Sequence, residues 1–202
     1  MTESLLYRSE RGYVLAMRAL YGRHYEARHR AVANLVPARA EVLDVCCGPA
    51  TIWRRYLRAK EVRYHGLDIN PRFIERLRGL GVAAEVWDVG KAVPLPKADV
   101  VIMQASLYHF LPDPHPVIRR MLTAAREAVV ISEPVRNLST SPLFLLAGLG
   151  RRLTRVGRSG TARFDEQTLD AVMGRYQSAV SERFLIPGGR EKVYVLRPAS
   201  LP

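Results

Sequence analysis

Short apolar runs alternate along the chain with stretches of helical spacing. Residues 40–45 (AEVLDV), 62–69 (VRYHGLDI), 82–89 (VAAEVWDV), 98–104 (ADVVIMQ) and 128–134 (AVVISEP) predict five strands. The fourth is the most hydrophobic and is expected at the centre of a sheet. Three helices are predicted between them. One covers 49–60, where Pro49 suits a first turn because its missing N–H is no loss. Another follows Asn70 as N-cap over 71–80, and the third covers 114–125. Ahead of them, residues 10–36 carry Val14, Met17, Leu20 and Tyr21 on one helical face, and Pro37 follows its end. The tail breaks the alternation. Asp165 is placed to cap a helix over 166–176, and runs at 178–186 and 191–197 flank PGG at 187–189 as an antiparallel hairpin. The pattern predicts an α/β fold: a three-layer αβα sandwich around seven strands, mostly parallel, with the hairpin at one edge. Residues 1–39 form an N-terminal helical lid segment and 40–202 the main domain. Segment 135–163 is an insertion on the substrate side, with a helix near 141–155 ended by Gly157.

Length and composition fit one domain with a real core: 202 residues, 48% hydrophobic. The run LFLLAGL at 143–149 is far short of the ~20 residues a spanning helix needs. The N-terminus carries acids and no apolar block, so no signal peptide is expected and the cytoplasm is the expected compartment. Net charge is +12, and segment 135–163 holds Arg136, Arg151, Arg152, Arg155, Arg158 and Arg163 without an acid. Such a patch attracts phosphates, acidic lipids or acidic substrates. Only four of the 31 basic residues are lysine, so arginine also reads as this chain's default surface cation.

The chemistry concentrates in EVLDVCCGPAT, residues 41–51. A strand running into a glycine turn and a helix suits a small anionic group. Cys46 and Cys47 are the only cysteines, and as neighbours, ~3.8 Å apart at Cα, they are too close for an ordinary disulfide. His65 is the nearest histidine, and no metal site is expected. The thiols read as reduced and buried. Asp44, Asp68 and Asp88 end the first three strands, where ligands of open α/β sheets bind. Buried without partners, each would cost several kcal/mol, so each requires a donor. A nicotinamide dinucleotide site is excluded, because G-x-G-x-x-G is absent and Asp44 would face a pyrophosphate.

The ordered set VLDVCCGPA, GLDIN, VWDV, ADVVIMQASLYHF and VVISEP, followed by a terminal hairpin, resembles the class I S-adenosylmethionine-dependent methyltransferases over roughly residues 40–197. The wording of the turn is closest to the small-molecule, quinone-biosynthesis-like branch. The resemblance implies a Rossmann-like sheet and S-adenosyl-L-methionine as cofactor, leaving S-adenosyl-L-homocysteine as product. It implies that Asp44 through Gly48, Cys46 included, carries the methionine end, with Asp44 facing the ammonium. Asp68 would accept both ribose hydroxyls, and Ile69 would pack on the adenine. Asp88 would accept from the adenine amine with Val89 beside the ring, and Met103, Gln104 and Ala105 would floor the sulfonium. The family turn is acid-x-Gly-x-Gly-x-Gly, whereas this chain reads Asp44-Val45-Cys46-Cys47-Gly48-Pro49-Ala50. Cysteine at the first glycine position is tolerable if its φ is below zero.

Within the resemblance, His109 in SLYHF is the candidate base and Tyr108 the residue orienting an acceptor. Tyr21, His24 and Tyr25 on the first helix are candidates for closing over the acceptor, and Glu133 for binding it. The segment after strand four reads QASLY instead of [DN]-P-P-[FY], which argues against nucleic-acid amino methylation. The expected partner is a small acceptor, hydrophobic or anionic, with transient membrane-surface contact through the insertion. The alternatives are an RNA-directed methyltransferase using the arginines and a non-catalytic methyltransferase-like binding protein. The oligomeric state stays open.

Overall fold

The computed structural model of the chain describes residues 24–136 and 163–198. A first helix, α1 (His24–Asn34), leads into strand β1 (Glu41–Val45). Past the cysteine turn the chain winds into a π turn (Trp53–Leu57) that tightens to a 3-10 turn (Arg58–Lys60). Then follow β2 (Arg63–Asp68), α2 (Pro71–Gly79), β3 (Ala83–Val86) and β4 (Ala98–Gln104). A 3-10 turn (Leu107–Phe110), α3 (His115–Ala124) and β5 (Ala125–Pro134) continue the alternation. After the insertion come α4 (Glu166–Gly174), β6 (Val180–Leu185) and β7 (Glu191–Leu196).

The strands form one seven-stranded sheet in the order β3-β2-β1-β4-β5-β7-β6. The first five are parallel, and β7 runs antiparallel to both β5 and β6. The fold is thus the expected Rossmann-like sandwich, with β4 in the middle. Register fixes the site: Asp44 lies opposite Gly66 of β2 and Ile102 of β4, and Gln104 lies opposite Ser132 of β5.

Strand alternation splits the core in two. Leu43, Val101, Met103, Val129 and Ile131 face α3 and α4 on one side. Val42, Val100, Ile102, Val130 and Val193 face α1, α2 and Leu57 of the π turn on the other. Two caps follow the sequence expectation. Asn70 accepts the Arg72 N–H at 3.0 Å, and Asp165 forms a reciprocal capping box with Thr168. No described helix is long and apolar enough to cross a membrane.

Several boundaries differ from the sequence expectation. Strand three ends at Val86, so Asp88 lies in the following turn, where its carboxylate accepts the Gly90 N–H at 2.9 Å. At an edge position few neighbours hold β3 straight, and the aspartate–glycine turn takes over. Pro49 lies in the turn before the helical segment, whose helical residues begin at Thr51. The expected helix over 10–36 is seen from His24 only, and the helix near 141–155 lies outside the described residues.

The capping box carries a testable cost. Replacing Asp165 by alanine orphans the Thr168 N–H and is expected to lower stability by about 1 kcal/mol, read as a lower midpoint in urea denaturation with an unchanged slope.

Candidate functional site

The site grows from one backbone problem. After β1 the chain must reverse within five residues to enter the next helical segment. Cys46, Gly48 and Ala50 all adopt left-handed backbone, with φ of +61°, +53° and +50°. These are the three positions that the resemblance assigns to glycine. The condition placed on Cys46, a negative φ, is therefore not met. A side chain there costs about 1–2 kcal/mol. Ala50 is fully buried, and removing a buried methyl costs roughly 0.8 kcal/mol, so burial offsets much of its strain.

The turn is clasped from the second strand. Asp68 Oδ2 accepts the Gly48 N–H and Oδ1 accepts the Asn70 N–H, each at 2.8 Å. The Cys47 N–H donates to the Leu67 carbonyl at 2.9 Å. Close packing depends on Gly66, where a Cβ would lie 2.9 Å from Cys47 Sγ. Beneath the turn, the buried Asp44 accepts from the Tyr64 hydroxyl at 2.6 Å. Tyr64 is two residues along β2 from Gly66, the partner of Asp44, so its ring reaches diagonally across the strand pair.

Burial, with the charge of Asp68 adding to it, pushes the Asp44 carboxyl up to about 7, although the Tyr64 hydroxyl favours ionisation. Burial likewise raises Asp68, against its two backbone donors. The Cys46 thiol is raised well above its ordinary value by burial and then by Asp68, Asp44, Glu133 and Asp88. Cys47 is also raised, mainly by burial, so both thiols are protonated and unreactive at neutral pH.

The other side of the edge is built from β4, β5 and β7. Ala105 takes a left-handed turn, φ +49°, and its N–H donates to Ser132 O at 2.7 Å. Glu133 is fully buried, and its Oε1 accepts the N–H groups of Ser106 and Leu107 at 2.6 and 2.7 Å. Burial pushes its pKa up to about 8. This is a correction to its expected place on the acceptor surface: Glu133 lies under the loop that carries Tyr108 and His109 and holds that loop's backbone.

Tyr108 and His109 lie on the 3-10 turn with ring centroids 4.0 Å apart. Desolvation by the surrounding protein lowers the His109 pKa, which favours the neutral imidazole. Arg163, the last residue of the insertion, sets its guanidinium 3.5 Å over the Tyr108 ring.

The remaining expected residues divide clearly. Ile69 is 58% exposed beside Asp68, an apolar surface open to a flat ligand. Met103 and Val89 are instead core residues, 0% and 3% exposed, with side chains packed into the cluster under α3. Tyr25 is buried, with its hydroxyl 3.5 Å from Thr51 Oγ1, so it packs α1 onto the segment after the turn. His24 Nδ1 lies 3.2 Å from the Pro187 carbonyl, on the hairpin turn. Tyr21 lies outside the described residues.

Sequence reasoning missed three participants. Arg28 of α1 pairs with Glu191 of β7 at 2.8 Å in a buried ion pair. His29 Nδ1 lies 3.2 Å from Gln104 Oε1. Tyr64 holds Asp44. The polar content of α1 was the one available signal, since HYEARHRAVAN is too polar for a helix that packs on a sheet.

A family model described as a methyltransferase domain matches residues 11–177. No protein of curated function matches the chain. Solved structures share the fold at low identity. A chain of the complex between the Haloferax volcanii Trm112 methyltransferase activator and the putative methyltransferase is 12% identical. That match covers 98% of this chain and 99% of that one, with a TM-score of 0.69. Magnesium protoporphyrin IX methyltransferase from Synechocystis PCC 6803, with bound SAH, is 16% identical over 95% and 96%, with a TM-score of 0.62. An O-methyltransferase family protein from Burkholderia thailandensis is 20% identical over 95% of this chain and 61% of its own, with a TM-score of 0.64.

The raised carboxyl groups set a direction for stability against pH. Between its unfolded value near 4 and its folded value, each binds more protons in the folded state, so stability falls as pH rises. The lowered histidines act oppositely, but only below their unfolded value near 6.5. Above pH 6.5 the carboxyls therefore dominate, and stability should fall by about 2 kcal/mol between pH 6.5 and 8. Denaturant titrations across that range check this. Glu133→Gln should flatten the slope, and an equally steep slope in that variant would contradict the assignment.

Proposed function

The chain belongs to the class I S-adenosylmethionine-dependent methyltransferases, and we propose that it methylates a small acceptor, hydrophobic or anionic, at the carboxyl edge of its sheet. The observation that carries this is the pair of strand-end acids, Asp44 buried beneath the turn and Asp68 clasping Gly48 and Asn70, beside a turn that keeps left-handed backbone at all three glycine positions. A buried carboxyl raised to about 7, such as Asp44, is one whose ionised form a neighbouring cation would stabilise.

The residues present fit the cofactor. Asp44 is read as the acid that faces the ammonium group, and a neighbouring positive charge would return it to the ionised state. Each oxygen of Asp68 accepts one backbone N–H and keeps further acceptor capacity for ribose hydroxyls. Exposed Ile69 offers a face to the adenine. Asp88 and the backbone at Val89 border the same edge. The bound cofactor supplies a methyl group already made electrophilic by its sulfonium.

The protein's own task is then alignment and exclusion of water. Alignment of reactants is worth up to ~7–11 kcal/mol, whereas a general base gives ~10²–10⁴-fold. Glu133 holds the backbone of the loop that carries Tyr108 and His109, which supports reading that loop as the acceptor side of this edge. His109, neutral at pH 7, accepts a proton from the acceptor, and Tyr108 with Arg163 on its ring faces the acceptor's other end. Arg163 adds a positive charge that suits an anionic or aromatic acceptor.

Calorimetric titration with S-adenosylhomocysteine tests the cofactor assignment. Micromolar binding is expected, weakened at least about 100-fold by Asp68→Ala, which removes both the ribose acceptor and the clasp on Gly48. Unchanged affinity in that variant would remove the proposed site. Affinity should also rise with pH through about 7, as Asp44 becomes ionised for the ammonium. Once an acceptor is in hand, His109→Ala should lower turnover by about 10²-fold while leaving cofactor affinity intact; undiminished turnover would exclude His109 as base.

A further inference from the structure

His29 is a buried polar group that the residues discussed so far do not fully account for. It lies on α1, is 8% exposed, and stacks edge-on to Tyr25 with ring centroids 5.0 Å apart. Tyr25 reaches Thr51, just past the cysteine turn, while His29 itself reaches Gln104, the last residue of β4. The imidazole therefore lies between Tyr25 and Gln104 at the end of β4, a residue read above as part of the floor under the sulfonium.

The hydrogen bonds fix its tautomer. Gln104 Nε2 donates to the Arg28 carbonyl at 3.4 Å, which leaves the amide oxygen as the group facing His29 Nδ1. That oxygen only accepts, so Nδ1 carries the proton. A neutral imidazole has one N–H, so Nε2 bears a lone pair. Burial, reinforced by the charge of Arg28, holds the pKa down to about 3, so the ring stays neutral. Nε2 is buried and has no hydrogen-bond partner among the described residues. An unmet buried acceptor is costly, and such an atom at a site calls for a ligand group.

We propose that His29 Nε2 receives a hydrogen bond from an O–H or N–H on the methyl acceptor, so that His29 selects an acceptor bearing such a donor. The inference rests on the methyltransferase reading and narrows its substrate class. A carboxylate or an ether placed at this atom would meet a lone pair with a lone pair. A phenol or an amine satisfies it. With so low a pKa the ring does not keep the proton; it orients the donor, and proton removal stays with His109.

The test uses the full chain saturated with S-adenosylhomocysteine, with phenol and its methyl ether anisole as probes. Nitrogen-15 NMR of the histidine rings should show His29 as the Nδ1–H tautomer across pH 6–8, and phenol should shift Nε2. Phenol should bind at least about tenfold more tightly than anisole. His29→Phe keeps an aromatic ring against Tyr25 and should bind the two probes equally, with unchanged affinity for S-adenosylhomocysteine. A proton on Nε2, or a wild-type protein without preference for phenol, overturns the proposal. Failure to bind S-adenosylhomocysteine overturns the methyltransferase reading instead, so the two failures are distinguishable.

Discussion

The Asp68 carboxylate is the contact on which the site depends. It ends β2, yet one of its oxygens holds the Gly48 N–H of the turn that follows β1, and the other holds the start of α2 through Asn70. Two neighbouring strand ends and a helix start are thereby tied to one charged group. Hydrogen bonds to an ionised acceptor are stronger than neutral ones, and the burial that raises the Asp68 pKa also deprives the turn of water as a substitute partner. The same group keeps acceptor capacity beyond these two bonds.

The clasp also explains how the chain keeps a glycine-type path with a cysteine and an alanine on it. The turn has to pass through left-handed backbone at residues 46, 48 and 50 to bring Thr51 over the sheet. Ala50 is strained but fully buried, and burial returns part of its cost, whereas Cys46 is only half-buried. The missing Cβ at Gly66 makes the room that Cys47 fills. Compensation has thus moved to the neighbouring strand. The two thiols act as packing atoms whose protons are held by burial and by surrounding acids.

Local pattern made much of this legible. Apolar runs located all seven strands, Asn70 and Asp165 announced their helices, and the acids at 44, 68 and 88 pointed to the carboxyl edge. What local pattern missed is non-local or conformational. The sign of φ at Cys46 depends on where the turn must go, and no neighbouring residue reports it. The Arg28–Glu191 and His29–Gln104 pairs join residues far apart in the chain, so no periodicity encodes them. Glu133 looked like an open strand-end acid, because sequence does not say which loop folds over a strand end. The π turn at Trp53–Leu57 is likewise invisible to a pattern of period 3.6, although its Tyr56 hydroxyl is anchored on Glu26 of α1 at 2.5 Å.

The position of β7 has a consequence for how the molecule is assembled. β7 is made after β6 but lies inside it, between β5 and the edge. β6 therefore has no strand to dock on until residues 191–196 have been synthesised, and β5 keeps a bare polar edge until then. Arg28, already present on α1, waits for Glu191 over the same interval. Pairing of β5 with β7 is thus a long-range contact, of the kind that slows folding.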